Sequence, residues 1–520
     1  MPFLLMVFLT LVCLPDLDLW SEPLLPAPWN LDPVAWSALL TGLAMYVPLV
    51  HAFFVSRRVV RPLRRDARLR DELARRYERR RFVHQFLLFG CFSLALGVGG
   101  WGWSVHSFWR TESTGVLPVA ELVVLAPFLF TMVLSWIIFY DAENALHQAA
   151  QKLIEDDPLA AFLESPEEFA LRKQNQLADR QYFGGRWSYV QFQIRQKLAL
   201  VCVPIILLLG QKELGRHLGN SDWVLVLNFA SIALMLLVFI TMPLLIRFVL
   251  GLKPMPNGPM RARLRKASKR LRFRCSDVLV WNTRKGMANA MVVGILPWPR
   301  YVVFTDRLLH DFTPDEVEAV FGHEVGHVKH FHMLYYFVFL SVSMTVLGLM
   351  GQLFLSRFIT QDTQKLELLQ TLPMVGLVML YIFVVFGFIS RRCERQADIF
   401  GCRTVSCDHA YCLEHKEDVD LAPQGRGLCP TGIRTFIHAL EKVADVNGIS
   451  RDRPGLLQSW QHSTIARRVA FLQQMINDPT IEPVFQRRVT LVKWGLFIAL
   501  GVMLAAVLIS GSMAAASGSP

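Results

Sequence analysis

A chain of 520 residues in which 53% are hydrophobic and 18% charged, with a mean hydropathy of +0.35, is more apolar than a water-soluble fold of this length. Its net charge of +12 would suit nucleic-acid binding only with a basic patch in a recognisable module, and no such module is visible. Composition therefore predicts an integral, multi-pass membrane protein whose partners are lipid and protein, with no nucleic acid; it leaves the oligomeric state open.

The opening apolar run, residues 3–14, is about half a span long and lacks a basic lead, so it reads as an interfacial or short helix rather than a signal peptide. Stretches of roughly 20 apolar residues, enough to cross the hydrocarbon, follow at 34–55, 84–106, 117–140, 223–250, 333–355, 368–390 and 491–511, with a shorter one at 197–212. Taken in order they predict a mainly α-helical polytopic protein with about eight transmembrane helices. Basic residues crowd the loop from Arg57 to Arg81 and the segment from Lys253 to Arg274, whereas 107–116, 213–222 and 356–367 are nearly free of them. The positive-inside rule puts both basic segments in the cytoplasm and both termini outside.

Three regions result. Residues 1–252 form an N-terminal membrane region with a basic loop at 56–83, open to two readings, an amphipathic helix on anionic headgroups or, more simply, a determinant of topology, and a polar helical loop at 141–196. Residues 253–490 form a cytoplasmic α+β domain interrupted by a transmembrane hairpin at 333–390, and 491–520 form a last helix and tail. A Pro- and Arg-rich linker, 253–274, leads into β-rich runs at 277–281, 290–295 and 301–305. An edge strand of such a sheet can hold a peptide extended by main-chain hydrogen bonds.

Residues 323–327 read His-Glu-Val-Gly-His. Thr313-Pro314-Asp315-Glu316 predicts the start of a helix independently of that motif, with Thr313 as N-cap, Pro314 at the first helical position and Glu316 closing a capping box. On a helix, His323 and His327 project from one face and can reach one metal ion. Glu324, beside the first, can take the proton of a water whose pKa zinc lowers to roughly 7. A catalytic zinc wants a third protein ligand. Glu394 and Asp398, four apart at the end of a predicted transmembrane helix, offer one: Glu394 can ligate, and Asp398 can orient a ligand or a cation.

The histidine pair with Val328-Lys329-His330, and the run Glu394 to Asp398, resemble the HtpX-like and CAAX prenyl protease-like membrane zinc metallopeptidases, metallopeptidase family 48. The resemblance covers about 275–475 and implies a zincin-like domain with His323, His327 and Glu394 as ligands of one catalytic Zn2+ and Glu324 as general base. It also implies that Asn289-Ala290 lies on the edge strand where substrate pairs, and that His462 stabilises the oxyanion. Ser463 stands where the family usually has proline. Arg468 can pair with Asp398 to lock the third ligand, with Arg467 an equally visible candidate.

Five of the nine cysteines, Cys393, Cys402, Cys407, Cys412 and Cys429, lie close in sequence, with His409 and His415 among them. Three readings stand for the Cys-rich insert 402–429: a second, structural Zn2+ on Cys402, Cys407, Cys412 and Cys429; a disulfide, which a cytoplasmic location disfavours; and inert buried thiols. The function expected is a zinc metalloendopeptidase, HExxH type with a glutamate ligand, cleaving membrane or membrane-associated proteins at the cytoplasmic face of the cell inner membrane for quality control or processing. The alternative is an inactive homologue serving as membrane scaffold or chaperone. A transporter would need charged residues within the spans, and few are seen.

Overall fold

The computed structural model describes residues 22–109, 119–155, 184–199, 224–340 (285 excepted), 381–408, 421–447 and 463–517, together with 205, 209, 210, 342, 343, 412, 449 and 451. The chain divides into two compact units, Met1–Gly251 and Leu252–Pro520.

The first unit is helical throughout its described residues: α1 (Pro33–Arg65), α2 (Arg70–Gly97), α3 (Trp101–Trp109), α4 (Val119–Glu155), α5 (Arg186–Gln193) and α6 (Val224–Val249). Asp32 caps α1 by accepting the Ala35 N–H at 3.0 Å. Phe92, Phe128, Trp136 and Tyr189 fill one core. Among the described residues two helices, Pro33–Arg65 and Ala120–Ala149, are long and apolar enough to cross a membrane. A third span is reached if Glu72–Gly97 and Trp101–Phe108, bent by 53°, count as one. The bend falls within the predicted span 84–106, at Gly99-Gly100, where Gly100 has φ +65°. Residues 344–380, most of the predicted hairpin, lie outside the described residues.

The basic stretch 56–83 is not an open loop: α1 runs on to Arg65 and α2 begins at Arg70. Part of its charge is neutralised internally, since Arg81 pairs with Glu143, which also accepts from the Tyr77 hydroxyl at 3.2 Å.

In the second unit a four-stranded sheet has the order β1-β2-β4-β3, with β1 (Lys253–Pro254), β2 (Asp277–Trp281), β3 (Ala290–Val293) and β4 (Tyr301–Thr305). β2 and β4 are parallel, and β3 runs antiparallel to β4, Ala290 opposite Phe304. β3 is therefore an edge strand, and it ends short of the predicted 295 because Gly294 turns the chain at φ +112°. The unit's helices include α7 (Pro259–Arg270), α8 (Asp306–Asp311), α9 (Pro314–Lys329), α10 (Gly387–Thr404), α11 (Pro430–Val446), α12 (Ile465–Asn477) and α13 (Ile481–Ser517); 332–340 are helical as well.

The predicted linker 253–274 is instead folded into this unit. Leu264, Ala267 and Leu271 recur at helical spacing and are buried in its core. Three of its arginines are salt-bridge donors: Arg261 to Asp277 at 2.8 Å, Arg263 to Glu318 at 2.6 Å and Arg270 to Glu318 at 2.8 Å. Arg270 also donates to the Thr404 carbonyl at 2.6 Å, tying α7 to the end of α10.

Candidate metal centre

Helix α9 starts where the sequence predicts. The Thr313 hydroxyl accepts the Glu316 N–H at 3.3 Å and the Glu316 carboxylate accepts the Thr313 N–H at 2.8 Å, a closed capping box. Val317, Phe321 and Val325 bury one stripe in the core shared with the sheet. The other side lies against α10, and two glycines set how closely. A Cβ on Gly322 would collide with the Thr404 side chain, and one on Gly326 would come within 2.9 Å of Phe400 Cβ and 3.2 Å of Ala397 Cα. Close approach is what brings Glu394 to the histidines. Gly322→Ala should therefore cost about 1–3 kcal/mol by overpacking and weaken retention of a metal ion, whereas Gly495→Ala, with nothing within 4 Å of its Cβ, should do neither; thermal melts and metal analysis of both variants check this.

His323, His327 and Glu394 converge, each offering one ligand atom, all within 4.8 Å of one another. The two Nε2 atoms are 3.3 Å apart. Glu394 Oε2 lies 3.8 Å from His323 Nε2, and Oε1 lies 3.7 Å from His327 Nε2. Neighbours fix which ring nitrogen holds the proton. His323 Nδ1 lies 3.0 Å from Asp398 Oδ1, an acceptor that keeps the proton on Nδ1. For His327 the chain is longer. Gln396 Oε1 lies 3.1 Å from His332 Nε2, which must then carry a proton, so His332 Nδ1 is an acceptor for His327 Nδ1 at 2.9 Å. With both rings neutral, each Nε2 turns a lone pair toward Glu394, a donor set that fits a divalent cation.

Asp398 is fully buried, and Arg468 meets it through two hydrogen bonds, Nε to Oδ2 at 2.8 Å and Nη2 to Oδ1. Arg468 Nη1 also lies 3.7 Å from Glu394 Oε2. Burial works against ionisation of Asp398, but Arg468 and then His323 outweigh it and hold the carboxyl below the usual aspartate range. Burial likewise disfavours a charged His323, and here Asp398 and Glu394 prevail and raise its pKa. Arg467, the rival candidate, is exposed. The reason is periodicity: Arg468 shares a face with buried Phe471, Leu472 and Met475.

Glu324 sits half-buried on α9 between the two histidines. Asn289 and Ala290 lie where β3 begins, beside α9. Thr305 N–H donates to the Asn289 carbonyl at 3.0 Å, and Asn289 Oδ1 accepts the Ala290 N–H at 3.0 Å. His462 lies outside the described residues, as do His409 and His415. Its neighbour Ser463 is buried with φ +64°, a conformation that the ring of proline forbids.

Of the four cysteines expected to group, three do: the ligand atoms of Cys407, Cys412 and Cys429 lie within 4.8 Å of one another. Cys402 belongs instead to an apolar cluster with Ile399, Val405, Ile433 and Phe436, because its place on α10 turns it into the α10–α11 contact. None of the four is joined in a disulfide.

Sequence reading did not single out His332, Gln396 or Phe436. The last stacks on His323, ring centroids 5.7 Å apart. His332 cannot be found by helical spacing, because α9 ends before it: Phe331 has φ +56° and the chain turns there.

Residues 254–475 match the model of peptidase family M48. Among curated relatives it is 25% identical over 233 residues to the CAAX prenyl protease 1 homolog of Arabidopsis thaliana, covering 42% of this chain and 53% of that protein. It is 28% identical over 171 residues to the probable CAAX prenyl protease 1 of Schizosaccharomyces pombe, covering 31% and 35%. To the protease HtpX homolog of Methanocaldococcus jannaschii it is 27% identical over 166 residues, covering 30% and 57%. The matches thus span about a third to somewhat over half of those relatives' lengths. Among solved structures, S. mikatae Ste24p aligns over 86% of this chain and 99% of its own, with 15% identity and a TM-score of 0.45.

Proposed function

We propose that the protein is a zinc-dependent endopeptidase of the membrane that hydrolyses peptide bonds of membrane or membrane-associated proteins at the cytoplasmic face. The observation that carries this reading is the convergence of His323, His327 and Glu394, with Asp398 behind His323, inside the stretch that matches the metallopeptidase family.

Two imidazole nitrogens and one carboxylate, with a position left for water, are the donor set of a catalytic zinc site. Bound there, zinc would supply Lewis acidity, lowering the pKa of a water and polarising a carbonyl. The remaining work falls to the chain. β3, as an edge strand beside α9, offers main-chain groups from Ala290 to Val293 to an extended peptide. Glu324 accepts the proton of the attacking water at its carboxylate and returns it to the leaving amide nitrogen. Asp398 and His332 hold the two imidazoles in the tautomer that keeps Nε2 unprotonated. His462 is proposed as the donor to the developing oxyanion.

Eight spans, with the basic residues of 57–81 and 253–274 on the cytoplasmic side, remain the proposed topology. The proposed domain limits are 1–252, 253–490 and 491–520. The test is cleavage of casein and of a membrane-protein substrate by the purified full chain in detergent. Treatment with 1,10-phenanthroline should stop cleavage and added zinc should restore it; cleavage that persists after complete metal removal would overturn the proposal.

A further inference from the structure

Downstream of the His/His/Glu group, α10 ends at Thr404, and the chain passes Cys407 and Cys412 before Cys429 caps α11. The three ligand atoms approach within 4.8 Å of one another, although Cys429 is far from the others in sequence. Tetrahedral thiolates around zinc, with Zn–S of about 2.3 Å, stand about 3.8 Å apart. A contraction of at most about 1 Å would seat an ion.

Packing around the sulfurs is built to hold them there. Cys429 Sγ accepts the Gly432 N–H at 3.3 Å. Ser406 Oγ accepts the Cys429 N–H at 3.2 Å and donates to the Cys402 carbonyl at 2.7 Å, so both ends of the connection share one hydroxyl. Two glycines make the approach feasible. A Cβ on Gly432 would collide with Ser406, and one on Gly427 would collide with Ala422 and the Cys407 carbonyl. Backbone N–H groups aimed at sulfur favour the thiolate over the thiol, as does the start of a helix.

We infer that Cys407, Cys412 and Cys429 supply three of the four ligands of a second, structural metal ion of the thiophilic class, zinc first among them. The ion would clamp the end of α10 to the start of α11. Those helices carry the walls of the first site: Glu394 and Asp398 on α10, and Phe436, stacked on His323, on α11. Its role is to hold these walls in register while taking no part in hydrolysis. This inference does not rest on the proposed peptidase activity.

The test uses the full chain in detergent, purified in zinc-containing buffer and desalted, with metal counted by mass spectrometry. Two zinc ions per chain are expected. His323→Ala/His327→Ala should retain one, and Cys407→Ser/Cys412→Ser should lose one. X-ray absorption on the histidine variant should find sulfur neighbours at about 2.3 Å. The inference is overturned if the histidine variant holds no zinc, if its zinc has no sulfur neighbours, or if intact-mass analysis without reductant finds two of these cysteines joined. Because the absorption measurement leaves the cysteines intact, a misfolded cysteine variant does not spare the inference. One zinc in the parent, kept by the histidine variant and lost by the cysteine variant, would support this site and count against the first.

Discussion

Replacing Glu324 with glutamine is expected to abolish measurable peptide hydrolysis and to leave the zinc content unchanged. The substitution keeps the shape of the side chain and removes its ability to take a proton. General-base catalysis contributes about 10²–10⁴-fold, so kcat should fall by at least two orders of magnitude, with KM little altered. Metal retention follows from the grouping of ligands, since the converging atoms belong to His323, His327 and Glu394 and not to Glu324. Glu394→Gln is the contrasting variant: it should lose both activity and the metal of this site. Parental cleavage rates in Glu324→Gln would sink the assigned role. If that variant holds substrate without cutting it, peptides recovered from native membranes would distinguish processing from quality control.

How much of this was legible in the sequence depended on whether the deciding interaction was local. The capping box of Thr313 and Glu316 and the His323–His327 spacing are set within one or two helical turns, and both could be read directly. Glu394 was legible from its chemistry and from the family resemblance, although the helix expected to end near it runs on to Thr404. Arg468 against Arg467 could have been decided by the stripe of Phe471, Leu472 and Met475, a periodic signal present in the sequence. His332 could not, because it reaches His327 only after a left-handed turn at Phe331. The segment 253–274 misled for a different reason: Arg261, Arg263 and Arg270 are paired with Asp277 and Glu318, partners that only tertiary structure supplies. Likewise Cys402 stood out with Cys407 by proximity in sequence, yet the fold assigns it to the apolar α10–α11 contact.

Asp398→Asn should destabilise the protein and loosen the metal by separable routes. The substitution leaves the Arg468 guanidinium buried without its carboxylate partner. Breaking a buried pair on one side costs about 3–5 kcal/mol, and the lower end applies because Glu394 remains 3.7 Å from Arg468. The amide can still accept the His323 proton, but more weakly, so zinc affinity should fall by about 10- to 100-fold, as for other lost partners of metal ligands. Acid stability gives the sign. The folded carboxyl titrates below an ordinary aspartate, so its contribution is present above about pH 3.9 and is lost as pH falls through its folded pKa. Asp398→Asn should therefore show a shallower loss of stability in acid than the parent. The double variant Asp398→Leu/Arg468→Met separates the two routes: with neither charge buried, the melting temperature should recover most of what Asp398→Asn loses. Zinc affinity should not recover, because His323 Nδ1 still lacks an acceptor. Affinity restored together with stability would mean that Asp398 acts only by holding Arg468, and that the orientation of His323 is set by packing against Phe436.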